Sequence, residues 1–75
     1  MNRVPLSFAN QGVCVKIKDI IGGKDMCMKL KEMGFVDGMN IKVMRNDRGP
    51  IIVKVGESRI ILGRGMANKV MVEVS

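Results

Sequence analysis

Met26-Cys27-Met28-Lys29-Leu30-Lys31-Glu32-Met33-Gly34-Phe35-Val36-Asp37-Gly38 is the stretch that decides how this chain folds. Met26, Leu30 and Met33 stand at i, i+4 and i+7, the spacing of one helical face. Cys27 widens that apolar stripe, while Lys24, Asp25, Lys29, Lys31 and Glu32 fall off it. Asp25 lies in the first turn, where a negative charge suits the helix dipole, and it precedes Lys29 by four residues. No Ser, Thr, Asp or Asn stands at the start, so the helix is expected to rely on Gly22 or Gly23 as a weak cap. Its end is better specified. Gly34 can take the left-handed conformation just past the last turn, which folds Phe35 back onto Leu30. Asp37-Gly38 then turns the chain into the pattern that follows.

Downstream, Met39, Ile41 and Val43 alternate with Asn40, Lys42 and Met44, which predicts a half-buried strand. Asn46-Asp47-Arg48-Gly49-Pro50 is a dense turn cluster. Ile51, Val53 and Val55 then alternate with Ile52 and Lys54, and Pro50 fits only at the start of such a strand or on an edge. Gly56-Glu57 predicts a two-residue hairpin, with glycine supplying positive φ. Ser58 to Leu62 is a fourth strand whose consecutive Ile60, Ile61 and Leu62 leave its inward face open. Gly63-Arg64-Gly65-Met66-Ala67-Asn68 is a corner with room for one turn of 3₁₀ helix. Val70, Val72 and Val74 alternate with Lys69, Met71 and Glu73 as the closing strand.

Upstream, Val13, Val15 and Ile17 alternate with Cys14, Lys16 and Lys18 as the first strand, and Gly22-Gly23 breaks it from the helix. Met1 to Gln11 reads as a lead-in that lays Leu6 on the core before a Gly12 turn. The expectation is a mainly β fold: a small, SH3-like, five-stranded barrel with one inserted short α-helix, residues 1–75 forming a single domain. Each strand has one apolar face, so a closed or nearly closed sheet buries those faces together. Met26, Leu30 and Met33 are expected to cork one end.

The 75 residues are 47% apolar with two prolines, which favours folding over disorder. The core must be aliphatic, because there are two Phe and no Trp or Tyr. Cys14 and Cys27 lack CxxC spacing and have no histidine to join them. A disulfide is open on count alone, but their strand and helix settings favour two reduced thiols. The N-terminus Met1-Asn2-Arg3-Val4-Pro5 has no apolar run of signal-peptide type, and no apolar run is long enough for a membrane helix. A soluble, cytoplasmic protein without direct membrane insertion is expected. The net charge of +6 comes from dispersed Lys and Arg, which fits a solvated surface before it fits a polyanion site.

The residues for chemistry are missing. Without histidine there is no ready general base or imidazole ligand. The seven acids are scattered, with no carboxylate pair for acid–base work and no cluster for a hard cation. Two cysteines cannot complete a zinc site. Gly63-Arg64-Gly65 follows a strand but is not followed by the rest of a phosphate-loop or dinucleotide fingerprint. We therefore expect no enzyme, no cofactor and no metal site. A binding module remains, and with Phe8 and Phe35 as the only aromatics it lacks the aromatic-lined groove of polyproline recognition. Met28, Met44 and Met71 face away from the expected core, and flexible thioethers suit adaptable surfaces. They also leave weak self-association open.

The chain resembles the FeoA family, small cytoplasmic proteins of bacterial ferrous iron uptake. The resemblance is carried by Pro5-Leu6, Gly12, Val15, Ile17, the Leu30…Met33-Gly34-Phe35…Gly38 block, Ile41, Val43, Pro50, Val53, Val55, Leu62-Gly63, Ala67 and Val70/Val72. It covers nearly the whole chain. Where family members often have Leu before the helix-ending glycine, this chain has Met33. The resemblance implies an SH3-like barrel and an accessory role beside a membrane ferrous iron transporter with a cytoplasmic GTP-binding domain. It also implies kinship in fold with the C-terminal domain of iron-dependent transcriptional repressors. The partner surface expected from exposure is Lys24, Met28, Lys31, Val36 and Asp37. The alternatives are a regulator-type domain, or a nucleic-acid-binding barrel using Lys16, Lys18, Lys42, Arg45, Arg48 and Lys54.

Overall fold

The computed structural model describes residues 3–74. It contains strands β1 (Arg3–Pro5), β2 (Cys14–Ile20), β3 (Asn40–Arg45), β4 (Ile51–Val55), β5 (Ser58–Leu62) and β6 (Val70–Val74), with helices α1 (Lys24–Glu32) and α2 (Arg64–Ala67). All strands belong to one antiparallel sheet in the order β1-β6-β2-β3-β4-β5. The SH3-like, mainly β class expected from the periodicity holds, with six strands where five were expected. The extra one lies in the presumed lead-in: Arg3, Val4 and Pro5 pair with Glu73, Val72 and Met71. Three residues are too short to show a period, and Pro5 argues against a strand unless that strand is an edge, which β1 is.

Inward residues of every long strand are buried: Val15, Ile17, Ile41, Val43, Val53, Leu62 and Val72 among them. Among the described residues no second sheet covers them, and the longest helix is nine residues long. A sheet in that position buries its apolar face by curling round it. Two bulges help it to bend. Lys18 is an extra residue on β2 opposite β6, and Met44 is an extra residue on β3 opposite β4. Each bulge reverses the alternation beyond it, so Lys18, Ile20 and Met44 become half-buried instead of facing fully outward. Met71 is half-buried as well, which leaves Met28 as the exposed methionine of the three picked out by sequence.

Helix α1 starts at Gly23 with extended backbone (φ −71°, ψ 169°) and no side-chain cap bond. It ends as its sequence requires. Gly34 takes φ +100°, the Phe35 N–H donates to the Leu30 carbonyl at 3.0 Å, and the Gly34 N–H donates to that of Lys31 at 3.0 Å. These are the paired bonds of a Schellman closure. Phe35 and Leu30 are fully buried, whereas Met26 and Met33 lie at the margin of the core. The cork is therefore Leu30 with Phe35 more than a methionine–leucine row.

Pro50 immediately precedes β4, the position a strand tolerates. Gly56-Glu57 joins β4 to β5 with Gly56 at φ +60° and Val55 opposite Ser58. Only the first turn residue has positive φ, the sign pattern of a II′ hairpin. In β5 Leu62 is inward and Ile61 outward. The corner before β6 is one α-helical turn instead of 3₁₀: the Ala67 and Asn68 N–H groups donate to Gly63 and Arg64 at 3.0 and 2.9 Å. Asn46 ties loops together. Its side-chain amide donates to the Ser7 and Ala9 carbonyls at 3.1 and 2.5 Å, and Arg64 donates to its oxygen at 2.9 Å.

Candidate functional site

The five surface residues expected from sequence come from two adjoining pieces of chain. Lys24, Met28 and Lys31 are at i, i+4 and i+7 of α1 and share one face. Each is exposed, Met28 by 52%. Val36 and Asp37 follow the Schellman closure and are exposed too. The turn that carries them is anchored on β2: the Gly38 N–H donates to the Ile17 carbonyl at 2.7 Å, and the Ile17 N–H donates to Met39 at 2.8 Å. Buried Phe35 fixes the same turn from the inside. The surface is thus a helix face and a turn held at both ends.

Lys31 and Asp37 also line one cleft of about 160 Å³, together with Lys18, Asp19, Cys27 and the edge of Phe35. The structure brings these two of the five to one concavity; Lys24, Met28 and Val36 lie outside its lining. The Cys27 thiol points at the carbonyls of Ile20 and Gly22, 3.7 and 3.8 Å away. Cys14 is exposed on β2 and is not joined to Cys27. Among the described residues no group of three His, Cys, Asp or Glu could hold a metal ion, and no helix is long and apolar enough to cross a membrane.

The six basic residues of the nucleic-acid alternative are divided: Lys42, Lys54, Arg45 and Arg48 lie on or beside the β3–β4 face, and Lys16 and Lys18 lie on β2. Lys16 sits opposite Glu73 in the register. Lys18 is half-buried in the cleft with Asp19 and Asp37. Arg45 is held by Asp47, Nε to the two carboxylate oxygens at 3.2 and 3.1 Å. Lys42 and Lys54 do meet, directly opposite on β3 and β4. Arg59 continues their row on β5 and was missed by sequence reasoning. The signal was there: a two-residue loop at Gly56-Glu57 fixes the register, and counting back from it puts Arg59 against Lys54.

A six-stranded curled sheet with a short helix between its second and third strands defines the class, a small barrel of the SH3 type. A family model described as "FeoA domain" matches residues 4–74. The chain belongs to the FeoA family. It is 44% identical over 69 residues to "Putative Fe(2+) transport protein A" of Methanocaldococcus jannaschii, covering 92% of this chain and 84% of the relative. An FeoA crystal structure described as an iron uptake regulatory protein superposes with a TM-score of 0.90 at 37% identity, covering 100% of both chains. The zinc-complexed FeoA of Stenotrophomonas maltophilia, described as a prokaryotic SH3 domain protein, superposes with a TM-score of 0.80. At 24% identity over 91% of this chain and 87% of that one, it supports the fold alone.

Proposed function

We propose that this protein is an accessory factor of ferrous iron transport that docks on the cytoplasmic GTP-binding part of a membrane iron transporter. Membership of the FeoA family and the 44% identity to an Fe(2+) transport protein A support the transport role. The observation that carries docking is the outward face of α1. An exposed thioether, Met28, stands between Lys24 and Lys31, one helical turn from each, and Lys31 shares a cleft with Asp37 of the turn that also presents Val36. An apolar centre with a charged rim is the make-up of a protein-binding patch.

The test is a binding titration between this protein and the transporter's soluble domain. Met28→Asp with Lys31→Glu reverses the chemistry of the patch without touching a buried side chain. We expect a loss of about tenfold or more in affinity, since each substitution removes a contact worth about 1 kcal/mol. Unchanged affinity in a double variant with a wild-type melting curve removes this surface from the interface.

A further inference from the structure

The outer face of β3, β4 and β5 carries a second feature, one that shares no residue with the α1 face. Lys42 is directly opposite Lys54, and Lys54 is directly opposite Arg59. Three like charges stand side by side across three strands, with strands spaced about 5 Å apart. Directly opposed like charges weaken a sheet. The ion pairs among the described residues, Arg3–Glu73 and Arg45–Asp47, involve none of the three. In the next outward row Ile52 faces Ile61, which is 66% exposed, with Arg45 on the other side of Ile52. Ile52 and Ile61 line an open groove of about 290 Å³ with Pro50, Arg45 and Arg48.

Both rows end at β5, and so does the ladder. Among the described residues, the backbone of Ser58–Leu62 pairs with β4 and with nothing else. An edge strand with unpaired N–H and C=O groups is a template for one more strand. We propose that this edge accepts an extended acidic segment of a partner protein as a seventh strand. The added strand places a carboxylate beside Arg59, completing the Lys42–Lys54–Arg59 row, and an aliphatic side chain two residues away beside Ile61. Main-chain bonds supply the binding energy common to any strand, and the two rows supply the choice of sequence.

A defensive reading of the row fits less well. Basic residues on an edge strand can repel unwanted pairing. Only Arg59 is on the edge, however, and Lys42 and Lys54 lie on interior strands that need no guard. Ile61 is exposed at the edge, where a guard would be charged. A nucleic acid is disfavoured because β3, β4 and β5 carry no aromatic side chain: Phe35 is buried, and Phe8, though 74% exposed, stands on the separate Leu6–Phe8 turn and does not line the groove.

The test is an NMR titration of the ¹⁵N-labelled protein with a short peptide alternating Thr with Glu, Val, Glu. The controls are the same peptide with Lys for Glu, and oligothymidine. We expect saturable shifts at the amides of Ser58–Leu62, weakened by salt and absent with the lysine peptide. Lys54→Glu with Arg59→Glu should reduce the affinity about tenfold, and Ile61→Thr should weaken it while the fold is kept. Met28→Asp with Lys31→Glu should leave this binding unchanged, so the outcome is independent of the transporter docking proposed above. No saturation at the limit of peptide solubility, shifts centred elsewhere, equal binding of the lysine peptide, or tighter binding of oligothymidine would each overturn the proposal.

Discussion

Gly34 is the residue whose substitution isolates one physical cause. Its φ of +100° lies where a side chain is strained, and a Cβ built there would meet Val55 Cγ1 at 3.0 Å. Gly34→Ala is expected to destabilise the protein by about 1–2 kcal/mol, read as a lower denaturation midpoint with an unchanged slope. Gly12→Ala makes a useful comparison, since that glycine has φ +91° with open space around it and carries only the conformational part of the cost. The Gly34-Phe35 pair was legible from sequence because a Schellman closure is local chemistry: a stop residue and an apolar residue at set offsets from the last turn. Met44 was not legible. Its outward position in the alternation is correct up to Val43, and the bulge that moves it is decided by β4, a separate part of the chain.

At the scale of elements, α1 begins on a glycine that contributes no side-chain bond, in the extended conformation a cap needs, and with open space where a Cβ would stand. Gly23→Asp should therefore stabilise the protein by about 0.5 kcal/mol, combining a capping bond with the helix dipole. Gly23→Ala should give no such gain in the same melting experiment. The β3–β4–β5 rows make a second prediction. If Lys54 is repelled from both sides, Lys54→Gln should raise stability by a few tenths of a kcal/mol at low salt, and the gain should shrink as salt rises. A loss of stability in that variant would mean that the lysine stem contributes more by packing than its charge takes away. Long strands and the hairpin were readable from period and turn residues. β1 was not, because its identity as a strand comes from β6, some seventy residues along the chain.

For the whole molecule, a 75-residue domain has a total stability of about 4–11 kcal/mol. Phe35 is the largest fully buried side chain, and truncating a buried Phe to Ala costs about 3–5 kcal/mol. Phe35→Ala is thus expected to leave a large unfolded fraction at 37 °C by circular dichroism, and Phe35→Leu to remain folded with a lower melting temperature. The barrel class followed from apolar rows that had no second layer to bury them. The proposed docking face on α1 was legible as a helical spacing of exposed residues. Of the basic row on the sheet, the Lys54–Arg59 pair could be counted from the Gly56-Glu57 hairpin, whereas Lys42 joins it only through the β3–β4 pairing, whose register is shifted by a bulge.

The pairing of β1 with β6 has a consequence for how the protein is made. Arg3–Pro5 find their ladder partners in Val70–Val74, and the Asn46 loop is clasped by Arg64. The two strands of that ladder lie far apart in sequence, so Arg3–Pro5 leave the ribosome long before the residues they bond to. The hairpin of β4 and β5 needs only its two-residue loop and can form locally, whereas the β1–β6 seam must wait until β6 has been made.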